Sequence, residues 1–135
     1  MAVKIFTDTN IIIDLIQQRP FELAILHQLV ALAESGEIEI YISESVVTNA
    51  LYVTRLEKHI EKVLGFSKTI CISEEIIIKA LNSSFKDKED AILYFGAMKA
   101  GINYFITRNS KDFLKHSQAQ LPVVSIKQFF KLQSH

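Results

Sequence analysis

Polar residues able to bind a cation recur in this sequence where a β-prone run gives way to a helix-prone one. Asp8 and Asn10 follow Val3-Lys4-Ile5-Phe6-Thr7, and Ser43 follows Glu39-Ile40-Tyr41-Ile42. Arg108, Asn109 and Asp112 follow Tyr104-Phe105-Ile106-Thr107, and Asp90 opens the helical stretch before that run, with Asp87 and Glu89 beside it. Carboxylates drawn together invite a hard cation, and Mg²⁺ or Mn²⁺ takes oxygen ligands while keeping several waters. A cation held this way polarises a phosphoryl oxygen, activates water and stabilises in-line displacement, so a phosphodiester is the expected substrate. Each residue also has a plainer reading. Asp8 can cap a helix, worth about 0.5–2 kcal/mol, and Asp90 can favour the positive end of its own helix, worth about 0.3–1 kcal/mol. Asn49 can be an ordinary hydrogen-bonded residue in mid-helix, and Arg108 and Lys111 solvated cations. His27, His59, His116 and His135 show no ligand spacing, so they are not expected to hold metal.

Whether these groups converge depends on the elements between them. After the first strand, Ile11, Ile12, Leu15 and Ile16 form the buried stripe of a helix that stops before Pro20, because the residue before proline avoids helical angles. A second helix carries Phe21, Leu23, Ile25, Leu26, Leu29, Val30 and Leu32 and ends at Ser35-Gly36. Ser43 caps a helix with Val46, Val47, Ala50, Leu51 and Val53, and the helical spacing runs on to Gly65, with a break the spacing does not place. Thr69-Ile70-Cys71-Ile72 predicts a short strand, and Ser73 opens a helix ending near Asn82-Ser83-Ser84. A loop at Lys86-Asp87-Lys88 precedes a helix over 89–99 closed by Gly101. Beyond the strand at 104–107 come a loop over 108–111, a strand at Val123-Val124 and a helix from about Ile126 to Leu132. Strands alternating with helices predict an α/β fold: a parallel sheet with helices on both faces, whose sites form at the carboxyl ends of the strands.

The 135 residues predict one domain, on a prior of roughly 100–200 residues per domain. Hydrophobic residues at 49% against 22% charged exclude extended disorder. The longest uncharged apolar stretch, from Leu23 to Ala33, falls well short of the roughly 20 residues that span a bilayer. With no export signal visible at the amino terminus, the expected compartment is the cytoplasm. Cys71 is the sole cysteine, which excludes an internal disulfide, and it is expected to be a small buried hydrophobe. Fifteen basic and fifteen acidic residues balance, so a surface basic throughout is not expected. They are segregated, however, with two basic and seven acidic residues over 1–50. An acidic metal pocket beside a basic rim gives that pattern, as do solvated helix faces.

Taken as an ordered set, four segments resemble the PIN domain family. They are Phe6-Thr7-Asp8-Thr9-Asn10-Ile11-Ile12-Ile13-Asp14, Ile42-Ser43 through Asn49-Ala50-Leu51-Tyr52, Glu89-Asp90-Ala91-Ile92, and Thr107-Arg108-Asn109-Ser110-Lys111-Asp112-Phe113. The resemblance is strongest to the VapC-like branch and covers nearly the whole chain. It implies a sheet of four to five parallel strands and a divalent-metal ribonuclease, often the toxin of a toxin–antitoxin pair and often a homodimer. Asp8 matches the family's first metal-binding aspartate, and Asp90 the aspartate that opens the later helix. Asn49 falls where many members have glutamate, and Asn109 where many have aspartate. An asparagine still offers a carbonyl oxygen, but no charge and no base. Asp112, then Glu89, are the acids expected to replace part of the lost charge, with Glu44 more remote. Thr107 and Asn10 are expected to orient ligands and water. Arg108 and Lys111 are expected to meet RNA, and the apolar helix with Val46, Val47, Leu51 and Val53, together with Phe129-Phe130, is expected to offer surface to a dimer mate or an antitoxin.

The competing reading is a PIN-like RNA-binding or regulatory module with little or no catalysis, kept open by Asn49 and Asn109. A phosphotransferase of the haloacid-dehalogenase or receiver type also places an aspartate after its first strand, but Asp-Thr-Asn does not match its Asp-x-Asp motif. No glycine-rich nucleotide loop is present.

Overall fold

The computed structural model describes residues 2–17 and 23–133. β1 (Val3–Thr7) leads into α1 (Thr9–Ile16), followed by α2 (Leu23–Glu34), β2 (Ile38–Ser43), α3 (Glu44–Thr54) and α4 (Glu57–Phe66). Then come β3 (Ser67–Ile70), α5 (Glu74–Leu81), α6 (Lys88–Lys99), β4 (Tyr104–Ile106), α7 (Ser110–Leu114), β5 (Val123–Val124) and α8 (Ile126–Gln133). The five strands form one wholly parallel sheet in the order β3-β2-β1-β4-β5. This is the α/β architecture that the strand–helix alternation predicts. The chain builds outward from β1 on one side through β2 and β3, then crosses to the other side for β4 and β5. In open sheets of this kind, the crevice at such a reversal is the usual place for a ligand. Here it lies between the carboxyl ends of β1 and β4.

Alternation along the strands divides the core into two layers. Phe6, Phe105 and Val123 face one layer, which also takes Ile12, Ile13 and Ile16 of α1, Val46 and Ala50 of α3, Ile60 and Val63 of α4, and most of α6. Ile5, Ile38, Ile40, Ile106 and Val124 face the other, with Ile11, Leu26, Leu29 and Phe129. Within the first layer Tyr94 and Phe113 each contact the rings of Phe85 and Phe105 as well as each other, at 4.7–6.4 Å. The buried Tyr94 hydroxyl donates to the Leu121 carbonyl at 2.8 Å and accepts from the Gln118 amide at 2.7 Å, fixing α6 against the segment before β5. These contacts set where the first residues of α6 lie.

The helix starts follow the capping chemistry in the sequence. Asp8, Ser43 and Ser73 accept from the amides of Ile11, Val46 and Ile76, as side-chain N-caps do. Gly36, at φ +85°, takes the left-handed conformation that follows α2. The break after Ser43's helix falls at Arg55, whose φ of 57° ends α3 while its amide bonds back to the Leu51 carbonyl at 2.9 Å. The first helix ends at Ile16, with Gln17 as its C-cap, and so stops before Pro20 as expected. The place of Phe21 in the second helix lies outside the described residues, as does His135.

Three expectations are corrected. β3 covers Ser67–Ile70 rather than 69–72, because it can pair only as far as β2 runs, and β2 ends at Ser43, opposite Ile70. Cys71 therefore sits beyond the strand and is exposed, not buried. The loop expected over 108–111 gives way at Ser110 to α7, which folds around Phe113, a side chain only 1% exposed. The apolar surface expected for a partner also divides. Phe129 and Val46 are core and Phe130 and Val47 half-buried, whereas Leu51 and Val53 are exposed, with Tyr52 and Leu56 beside them. Among the described residues, no helix is long and apolar enough to cross a membrane.

Candidate active site

Asp8 leaves β1 at the reversal and is 6% exposed. One carboxylate oxygen accepts from the Ile11 amide at 3.2 Å, capping α1, and the other accepts from the Thr107 hydroxyl at the end of β4. Thr107 also accepts from the Asn109 amide at 3.1 Å, so one hydroxyl ties the acid to the turn after β4. The expected supporting role of Thr107 thus has a direct contact behind it. Burial raises the pKa of Asp8 against the opposing pull of these hydrogen bonds and of Arg108. Asn10 stands in the first turn of α1, half-buried.

Asp90 stands in the first turn of α6, half-buried, and Asp87 rather than Asp90 caps that helix by accepting from the Asp90 amide at 3.1 Å. Its pKa is raised to about 6, first by burial and then by the charges of Asp87, Asp8, Glu89 and Asp112. The fold therefore gathers the acids singled out in the sequence into one electrostatic neighbourhood. Among the described residues, no three His, Cys, Asp or Glu side chains converge as a ligand group for a metal. The residues present nevertheless fit a small divalent cation held by Asp8 and Asp90 with water completing its shell, since Mg²⁺ is commonly held by one or two carboxylates. The mutual repulsion around Asp90 is what a cation would relieve.

Asn49 reaches across from α3, donating from Nδ2 to Glu89 Oε1 at 2.9 Å, so both lie at the same edge. Asn109 is exposed, precedes α7, and makes no side-chain cap. Asp112 and Lys111 lie on exposed positions of α7. Glu44 is exposed in the first turn of α3.

Arg108, the residue expected to meet RNA, also has a partner within the fold. Its Nε lies 3.1 Å from Oδ2 of Asp14, a carboxylate whose side chain is only 7% exposed, while the Arg108 side chain itself is 42% exposed. A buried carboxylate needs a charged partner, and this guanidinium supplies it to α1. Sequence reasoning passed over Asp14, although a signal was there: it is the one acid inside the apolar run from Ile11 to Ile16, and such a residue calls for a counter-charge. Lys86, Lys115 and His116 were also passed over. They line a cavity of about 320 Å³ together with Asp87, Asp90 and Asp112.

The chain, with its parallel sheet reversing beside β1, belongs to the PIN domain family: the family's profile matches residues 4–111. Within the family it is similar to Ribonuclease VapC1 of Aquifex aeolicus (strain VF5), 25% identical over 121 residues that span 82% of this chain and 83% of that protein. Among solved structures, a toxin–antitoxin complex from Klebsiella pneumoniae matches with a TM-score of 0.64 at 26% identity, over 90% of this chain and 96% of that one. VapBC2 from Rickettsia felis, bound to a DNA fragment from its promoter, matches with a TM-score of 0.70 over 91% and 98%, and at 17% identity speaks for the fold alone. The VapC-like resemblance carried by the four sequence segments is thus supported across nearly the whole chain.

Proposed function

We propose that this chain is a single-domain, divalent-metal-dependent endoribonuclease, the toxin of a toxin–antitoxin pair, which hydrolyses RNA phosphodiesters in the cytoplasm. The observation that carries the reading is the buried Asp8 at the reversal of the sheet, held there by Thr107 from the end of β4. The similarity to a VapC ribonuclease and to a toxin–antitoxin complex supports it. A bound Mg²⁺ or Mn²⁺ would supply Lewis-acid polarisation of the phosphoryl oxygen and a water of lowered pKa. Asp8 and Asp90 are the residues that would hold that ion. Thr107 fixes the rotamer of Asp8, and Asn10 orients water beside it. Asn49 pins Glu89 at the edge of the site, where Glu89 and Asp112 add negative charge that Asn49 and Asn109 do not. Lys111 stands exposed beside the turn, where RNA passes. A homodimer through the exposed Leu51, Tyr52 and Val53 of α3 and an antitoxin partner complete the proposal.

The neutral side chains of Asn49 and Asn109 favour a second reading, a PIN-like RNA-binding module with weak or no hydrolysis. Incubation of the purified protein with labelled single-stranded RNA separates the two. The nuclease predicts cleavage that EDTA abolishes and Mn²⁺ restores, with Mg²⁺ the poorer activator because the pocket has fewer charges to offset its dehydration. Retarded but intact RNA under all metal conditions selects the module.

A further inference from the structure

We propose that the cavity beside Asp90 is a subsite for an RNA phosphate next to the scissile one, gripped by His116, Lys115 and Lys86. This assignment rests on the nuclease reading and specifies which part of the substrate the site holds.

The cavity is lined by groups of both signs: the acids Asp87, Asp90 and Asp112, where a cation and the scissile phosphate belong, and the bases Lys86, Lys115 and His116. Two lysines lining one cavity with three carboxylates would be expected to pair with them. Among the described residues, however, neither the Lys86 nor the Lys115 side chain makes an ion pair or hydrogen bond, whereas Lys68, Lys99 and Arg108 all sit on carboxylates. The two cavity lysines remain exposed and able to meet an anion from outside.

His116 is held in place beside them. Its ring packs on Phe85 at 4.6 Å, and Nδ1 lies 2.8 Å from the Ser84 hydroxyl. That leaves Nε2 as the nitrogen for a ligand. When Ser84 donates to Nδ1, the neutral ring carries its proton on Nε2, and the imidazolium does so as well, so either form can donate to a phosphate oxygen. Phe85 in turn packs edge-on against Phe113 at 5.9 Å, clamping the loop before α6 to α7, the two segments that supply the lysines and the imidazole. Cationic groups in the same cavity as acidic ones suit a polyanion that runs over both. The metal end takes the phosphate to be cut, and the adjacent phosphate of the same strand meets the lysines and the imidazole. A charge-assisted hydrogen bond contributes roughly tenfold or more in affinity.

The test is the affinity of the full-length protein for a short fluorescein-labelled single-stranded oligoribonucleotide in EDTA, as a function of salt, alongside Mn²⁺-dependent cleavage of the same RNA. The double variant Lys86→Ala/Lys115→Ala is expected to raise Kd about tenfold and to lower the slope of log Kd against log salt by about 0.7, the share of one phosphate on a single strand. His116→Ala is expected to raise Kd in the same direction, and Lys99→Ala, at the far end of α6, to leave it unchanged. Because His116 touches Phe85, its variant can also loosen the fold; the two lysines make no such contact and carry the test alone. Wild-type Kd and salt slope in the double variant would overturn the subsite, and if Mn²⁺-dependent cleavage persists, the nuclease reading survives that loss. Wild-type protein that never cuts RNA, yet loses affinity in the double variant, would overturn the nuclease and keep the subsite.

Discussion

The end of β1 and the start of α6 each bring one acid to the same place, and they hold it in opposite ways. Asp8 is buried and has both carboxylate oxygens hydrogen-bonded, by the Ile11 amide and the Thr107 hydroxyl. Asp90 is half-buried, leaves the capping of its helix to Asp87, and is surrounded by other negative charges. Burial raises the pKa of both acids, so each ionised carboxylate is held at a cost to the fold, but hydrogen bonds offset part of that cost at Asp8 whereas neighbouring charges add to it at Asp90. A site assembled this way is preorganised on one side and destabilised, in the absence of a cation, on the other.

The largest effect expected from this contrast is on chemistry, where the two acids behave alike. Asp8→Asn and Asp90→Asn should each lower Mn²⁺-dependent RNA cleavage on the order of 10²-fold or more, since each removes a charged ligand. Cleavage that survives Asp8→Asn in a gel assay would place the metal elsewhere. Stability should then separate the two. Asp8→Ala removes a helix cap and leaves the buried Thr107 hydroxyl without its acceptor, for an expected loss of about 2–4 kcal/mol in urea unfolding. Asp90→Asn relieves like-charge repulsion, so the metal-free protein should melt about 1–3 °C higher, the scale of a solvent-screened contact. Shifts of the same sign in both variants would remove the contrast.

pH sharpens the contrast further. The folded pKa of Asp90, about 6, lies above its usual value of 3.8, so the folded state binds this proton more tightly than the unfolded chain does. Its contribution to stability is therefore most favourable below pH 4, declines as pH rises from about 4 to 6, and is constant above. The melting difference between Asp90→Asn and wild type should open over that window in metal-free buffer and close when Mn²⁺ is added. Mn²⁺ binding should also release more protons at pH 5 than at pH 7.5, as read by calorimetry in buffers of different ionisation enthalpy. The smallest expected effect belongs to Asn109→Asp, which restores one charge at an exposed turn and should tighten Mn²⁺ binding by about threefold to tenfold. Unchanged affinity would put Asn109 outside the reach of the ion.

Much of this architecture was legible because local chemistry and the global fold agree. Asp8, Ser43 and Ser73 read as caps and are caps, and the strand–helix alternation left little choice but a parallel sheet. What was hidden depends on contacts between distant segments. The end of β3 is set by β2, which no property of residues 67–72 announces. α7 is short and polar apart from Phe113 and Leu114, and it forms because Phe113 has an aromatic pocket to fill. In the site, the matched motifs led to Asp8 and Asp90. They did not show that Arg108 would be claimed by Asp14, or that Ser84 and Phe85 would hold His116 beside the acids. A one-dimensional spacing records which residues exist, not which of two possible partners a charge will choose.

The Thr107–Asp8 hydrogen bond joins residues 99 apart in sequence, as does the bond from the Lys4 amide to the Asn103 side chain at 2.8 Å. β1 lies at the centre of the sheet, so half of its pairing waits for β4. On the ribosome, the hydroxyl that fixes this acid emerges 99 residues after the acid itself. Contacts of such long range also form late once the chain is free to fold. A nascent chain ending before Tyr104 thus carries Asp8 without Thr107 to orient it. The geometry around Asp8 is in this way completed by a segment made long after it.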